Sequence, residues 1–118
     1  MDAKPLARLL KVLSVDTRVR IVQLLKGRAL CVNALARRLD VTQGAVSQHL
    51  RIMRDAGLVV DARRGAFVHY RLNEDTLARW RGEIDNLLDP TCGAGTDIAG
   101  DMQCAARNSR KVARSRKT

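Results

Sequence analysis

Residues 41–59 read VTQGAVSQHLRIMRDAGLV. Thr42 fits a helix N-cap, Gly57 fits a stop, and one apolar stripe runs between them at helical spacing. On a wheel at about 100° per residue, Val46, His49, Leu50 and Met53 fall together and face a core. Gly44, Ser47, Gln48, Arg51 and Asp55 fall opposite, with Gln43 at the N-terminal shoulder. The first half of this outer face holds short, neutral hydrogen-bonding groups rather than the Glu and Lys of a solvated helix. Gly44 removes a side chain where close approach matters. Such a face suits the major groove of duplex DNA: Gln reads adenine bidentately, Ser reaches a base edge or a phosphate, and Arg51 holds the backbone. The helix N-terminal dipole adds attraction for phosphate. The plainer alternative is an ordinary solvated helix, for which Gly44 is a liability of about 1 kcal/mol.

The flanking chain favours the DNA reading. Upstream, RALCVNALARRLDV (28–41) contains a short helix from about Val32 to Leu39, and a turn at Asp40–Thr42 joins it to the next: a helix-turn-helix. Downstream, LVVDARRGAFVHYRL (58–72) changes period. Val59, Val60, Phe67, Val68 and Tyr70 are strand formers around an ARRGA turn, which predicts a β-hairpin. Arg63 and Arg64 are placed at its tip, where a wing meets phosphate or the minor groove; a merely solubilising turn is the alternative. His49 reads as a core histidine satisfied by a neighbouring carbonyl, and His69 as a packed or hydrogen-bonded strand residue.

Further out, PLARLLKVLS (5–14) has a helical stripe at Leu6, Leu9, Leu10 and Leu13 after Pro5. VDTRVRIVQLLKG (15–27) follows, with Asp16 as N-cap, Gly27 as stop, Val19, Val22 and Leu25 lining the inner face, and Ile21 and Leu24 widening it. Asn73 caps a fifth helix carrying Leu77, Trp80, Ile84, Leu87 and Leu88 on one side, ended by Asp89-Pro90. The fold expected is mainly α with a small β-hairpin wing: four helices, two strands and a fifth helix. Residues 1–90 form the domain, and 91–118 a flexible, Cys-containing basic tail with one helical turn around Met102–Ala106.

The 118 residues carry a net charge of +10, with a pI near 10.8. That balance favours a polyanionic partner, nucleic acid or an acidic membrane surface. Six of the ten excess charges lie in the acid-free stretch from Arg107 onward, which leaves +4 for the rest. No apolar run approaches the ~18–20 residues of a membrane span, and no signal-peptide pattern opens the chain, so a soluble cytoplasmic protein is expected. Three cysteines, Cys31, Cys92 and Cys104, argue against a disulfide framework there and leave buried thiols, metal ligation or redox sensing.

Several ordered motifs carry a resemblance: D-x-R-x-x-I-x-x-L-L (Asp16–Leu25), L-C-V-x-x-L-A (Leu30–Ala36), S-x-H-L (Ser47–Leu50), L-R-x-x-G-L-V spaced as Leu50–Val59, and G-x-x-V-H-Y-R-L (Gly65–Leu72). Over about residues 5–88 the chain resembles the arsenic-repressor (ArsR/SmtB) family of winged helix-turn-helix repressors. The resemblance implies a homodimer whose first and last helices pack across the two-fold. It also implies binding to palindromic operator DNA, release by a metal, metalloid or redox signal, and groove contacts from Gln43, Gly44, Ser47 and Gln48. Arsenic-sensing relatives carry L-C-V-C-D-L-C; here Cys31 matches the first thiol, and Asn33 and Ala36 replace the others. Cys31 with Cys92 and Cys104 restores three thiolates, the set that trivalent arsenic takes. The expected ligand is As(III) or Sb(III), then Pb, Cd or Zn. With Glu83 and Asp85 but no His on the fifth helix, a zinc site there is not expected. Two rivals stand beside this: a thiol-redox or persulfide sensor of the same fold, and a basic structural or RNA-binding protein acting through its tail. An enzyme is not expected, since no base is arranged to activate a thiol.

Overall fold

The computed structural model describes residues 1–91; the expectations for Cys92, Cys104 and the turn around Met102 lie outside them. The chain divides into two units, Met1–Arg79 and Trp80–Thr118, with the division inside the last helix. The elements are α1 (Ala3–Val12), α2 (Asp16–Leu24), β1 (Leu30–Cys31), α3 (Val32–Leu39), α4 (Gln43–Asp55), β2 (Val59–Arg64), β3 (Phe67–Leu72) and α5 (Glu74–Leu88). This is the expected winged helix-turn-helix with one addition. β1 pairs with β3, opposing Leu30 to Tyr70 and Cys31 to His69, so the sheet has three strands in the order β1-β3-β2. Two residues are too few to show a period of two, which is why the pattern misses them.

The core is built by α2, α3, α4 and the root of the wing. Ile21, Leu25, Leu35, Leu39, Val46, Leu50, Met53, Leu58 and Val59 are all buried. Each such Leu or Ile contributes about 1.5–3 kcal/mol by leaving water. The phase of α2 differs from expectation: Ile21 and Leu25 are the buried pair, one turn apart, whereas Val19 is 38% exposed. At the start of α2, Val15 rather than Asp16 holds the N-cap position, and Asp16 is the first helical residue, where its charge favours the helix dipole. α1 likewise begins before Pro5, which the first turn tolerates because its N–H groups have no intrahelical acceptor.

The helix-turn-helix is closed by local chemistry. Asp40 takes a left-handed conformation (φ 58°) after α3, a place Asp fills more readily than most residues. The Val41 N–H then reaches back to the Ala36 carbonyl at 3.2 Å. Thr42 caps α4 as expected, its Oγ1 accepting from the Ala45 N–H at 3.1 Å. At the other end Gly57 (φ 81°) permits a Schellman closure: Leu58 N–H to the Met53 carbonyl at 2.9 Å and Gly57 N–H to the Arg54 carbonyl at 2.8 Å. Asn73 also caps as expected, its Oδ1 accepting from the N–H groups of Asp75 and Thr76.

In the wing, β2 and β3 run antiparallel from Val59 opposite Leu72 to Arg64 opposite Phe67. Arg63 and Arg64 are therefore the last residues of β2 rather than part of the turn, which is Gly65-Ala66. Gly65, at φ 62°, supplies the positive φ that such a tight hairpin needs.

Candidate nucleic-acid interface and thiol site

Val46, Leu50 and Met53 turn the α4 stripe inward. Gln43, Gly44, Ser47, Gln48 and Arg51 are exposed together on the opposite side, and Arg63 and Arg64 are exposed on the wing. No acidic residue occupies the first turn of α4, so its positive dipole end is not neutralised locally. Gly44 is not required by the fold. A Cβ built there meets nothing within 4 Å, and its φ is not positive.

One side chain of α2 holds this helix from behind. The Arg18 Nε–H donates to His49 Nδ1 at 3.2 Å, and Arg18 Nη1 donates to the Val12 carbonyl at 3.3 Å. His49 is thus half-buried, not fully buried, and its partner is a guanidinium on α2 rather than a carbonyl. Burial, then the Arg18 charge, hold its pKa below the ordinary imidazole value, with Asp16 acting in the opposite sense. At the front, Gln43 Nε2 donates to Asn33 Oδ1 at 2.8 Å. In the sequence Asn33 reads only as a missing thiol; its partner lies ten residues on, across the turn between α3 and α4. A weaker link joins α4 to the wing, Arg54 to Asp61 at 3.8 Å with both side chains exposed.

Cys31 is a free, half-buried thiol immediately before α3. Its cross-strand neighbour is His69, whose Nδ1 is buried without a hydrogen-bond partner. His69 is therefore packed, as expected, but not satisfied. Among the described residues no three His, Cys, Asp or Glu groups are close enough to hold a metal ion. Cys31 has the other two cysteines only outside that span.

Residues 16–60 match the sequence profile described as "Bacterial regulatory protein, arsR family". The HTH-type transcriptional regulator CmtR of Mycobacterium bovis is 39% identical over 106 residues, 86% of this chain and 90% of its own. The chain belongs to the arsR family. Members are regulators rather than enzymes, in agreement with the expectation of no catalytic site. The arsenical resistance operon repressor of Escherichia coli is 41% identical over 78 residues, 65% of this chain and 66% of that protein. Among solved structures, the homodimeric winged helix-turn-helix DNA-binding domain of a possible ArsR-family regulator from Mycobacterium bovis is similar at TM-score 0.59 and 27% identity. That match covers 73% of this chain and 83% of the domain. The chain spans 66, 59 and 62% of the length of three curated relatives it matches. No helix among the described residues is long and apolar enough to cross a membrane.

Proposed function

We propose that the protein is a homodimeric transcriptional repressor that reads double-stranded operator DNA with α4 and the wing, and releases it when its thiols take up a thiophilic ion. One observation carries the first half: the exposed Gln43, Gly44, Ser47, Gln48, Arg51 face contains a glycine that nothing inside the chain requires. A helix that gives up stability at a residue its own fold leaves idle has its reason in what approaches from outside. Arg63 and Arg64 add phosphate contacts. Support for the dimer comes from the homodimeric similar domain and from apolar residues left in solvent, Leu10 on α1 and, separately, Leu87 and Leu88 on α5.

The ligand is As(III) or Sb(III) before Pb, Cd or Zn, held by Cys31 together with Cys92 and Cys104; relatives named for arsenical resistance support this order. Three thiolates supply the soft donors such ions prefer. Cys31 sits at the head of α3, two residues before Asn33, whose carboxamide holds the Gln43 amide. A displacement at Cys31 moves Asn33 and with it a base-reading side chain. By linkage, the ligand then binds less tightly to the DNA-bound dimer, by the factor with which it weakens DNA.

A second reading rests on Cys31 being a free thiol at the head of α3. In a redox or persulfide sensor a disulfide closes between Cys31 and a tail thiol, or between Cys92 and Cys104, releasing two protons and giving two electrons to an oxidant. The test is a mobility shift with the protein's own promoter region, titrated with arsenite and with a disulfide oxidant, on wild type and Cys31→Ser. Release by arsenite that is lost in Cys31→Ser supports the ion, and release by oxidant alone supports the redox form. Binding without sequence preference that vanishes on deleting 107–118 would make the chain a generic polyanion binder. Gly44→Leu should abolish operator binding while the protein stays folded.

A further inference from the structure

Phe67 is one of only three aromatic residues in the chain, and it is 60% exposed. It is the first residue after the wing's turn and opposes Arg64, while Arg63 opposes Val68. Directly opposed residues share a face and successive pairs alternate. Phe67 and Arg64 therefore emerge on one face of the wing and Arg63 on the other. Ahead of them stand only Gly65 and Ala66, and around the Cβ position of Gly65 there is nothing within 4 Å. The tip is a narrow prow almost free of side chains, with a bare ring directly behind it and a guanidinium on each face. Among the described residues neither guanidinium has an acidic partner.

An exposed ring is unfavourable in the free protein, and whatever covers it must also accept two cations. A second copy of this chain brings +10 of like charge. A minor groove fits better: it is about 6 Å wide, and a row of phosphates runs along each rim. Proteins that enter it combine Arg with apolar wedges set between base steps.

We propose that Phe67 is a DNA-contacting residue: an apolar wedge that the wing seats in the minor groove beside the site read by α4, with Arg63 and Arg64 on the phosphate rows to either side. The proposal rests on the reading of the chain as an operator-binding protein and adds a residue and a specificity to it. Because a wedge loosens the step it enters, it selects for steps that unstack readily, TA and CA/TG, at the flanks of the operator. These are positions α4 does not reach.

The test uses full-length protein and duplexes that the wild type selects from a random-sequence pool. Affinity is measured against salt concentration for wild type, Phe67→Ala, Phe67→Trp and Arg64→Ala, with hydroxyl-radical cleavage of each complex. Phe67→Ala is expected to bind about ten-fold more weakly with an unchanged logarithmic salt slope, since no charge is lost, and Phe67→Trp to recover most of that loss. Arg64→Ala is expected to reduce the slope by about one. Wild-type protection of the flanking minor groove, and its preference for flexible steps, should vanish with Phe67→Ala. Wild-type affinity and protection in Phe67→Ala would overturn the proposal. So would weaker binding with the flanking protection intact, since the ring would then only brace the hairpin. A change in association state without DNA would assign the ring to a protein contact and overturn it as well. Selection of no preferred duplex by the wild type itself would instead remove the operator reading, and this inference with it.

Discussion

The helix-turn-helix and the wing carry the two surfaces proposed to meet DNA, but they are held by different physics. α3 and α4 put Leu35, Leu39, Val46, Leu50 and Met53 in the core and close their ends with backbone and side-chain caps. The wing buries Val59 and Leu72 at its root, and beyond Val60 every residue of β2 is exposed. One region is fixed by packing, the other by ladder hydrogen bonds and a glycine turn. A reading surface needs the first kind of support, because a base contact fails with an error near 1 Å. A phosphate contact tolerates the second, because charge acts over longer distances.

The contrast breaks if the two regions answer mutation alike. Leu50→Ala should cost about 2–5 kcal/mol, as other buried leucines do, whereas Phe67→Ala should stay within about 1 kcal/mol because its ring is largely exposed. Denaturant unfolding of both variants decides it, and equal losses would mean that the wing is packed after all. Thr42→Ala removes the cap on the Ala45 N–H and should cost about 1 kcal/mol, read as a lower melting temperature with the fold intact.

His49 adds a slope in pH. Its folded pKa lies below the ordinary value, so the unfolded chain takes up the proton first. The stability it contributes is therefore complete above its unfolded pKa and is lost as pH falls through the folded one. Protonation also turns the Nδ1 acceptor of the Arg18 bond into a donor. His49→Asn, which keeps an acceptor and cannot titrate, should flatten the pH dependence of melting below about pH 6.5; an unchanged slope assigns it to other groups. The least effect is expected at Arg54→Ala, within about 0.5 kcal/mol, because the Asp61 pair is solvated on both sides. A larger loss would show that the wing's angle depends on that pair.

Much of this was legible in the chain, and the failures have physical causes. The limits of α3, the Thr42 and Asn73 caps and the Gly57 stop follow from residue chemistry acting over three or four positions. The inward phase of Val46, Leu50 and Met53 follows from helical period alone. The two-residue β1 was invisible because only its pairing with β3, some forty residues away, makes it a strand. The Arg18–His49 and Asn33–Gln43 bonds also join residues far apart or across a turn, and no local pattern encodes them. For the candidate site, exposure could be read from the wheel. The fate of each polar group, such as the Gln43 amide already engaged by Asn33, could not.

The double closure of α4 has a consequence for how the protein meets its target. Thr42 at one end and the Gly57–Leu58 turn at the other satisfy the terminal backbone groups without help from a ligand. In the proposed repressor the helix therefore reaches duplex DNA already ordered, and docking carries no helix-formation entropy. The heat-capacity change of association should then scale with the contact area alone, without the excess that marks a segment folding as it binds.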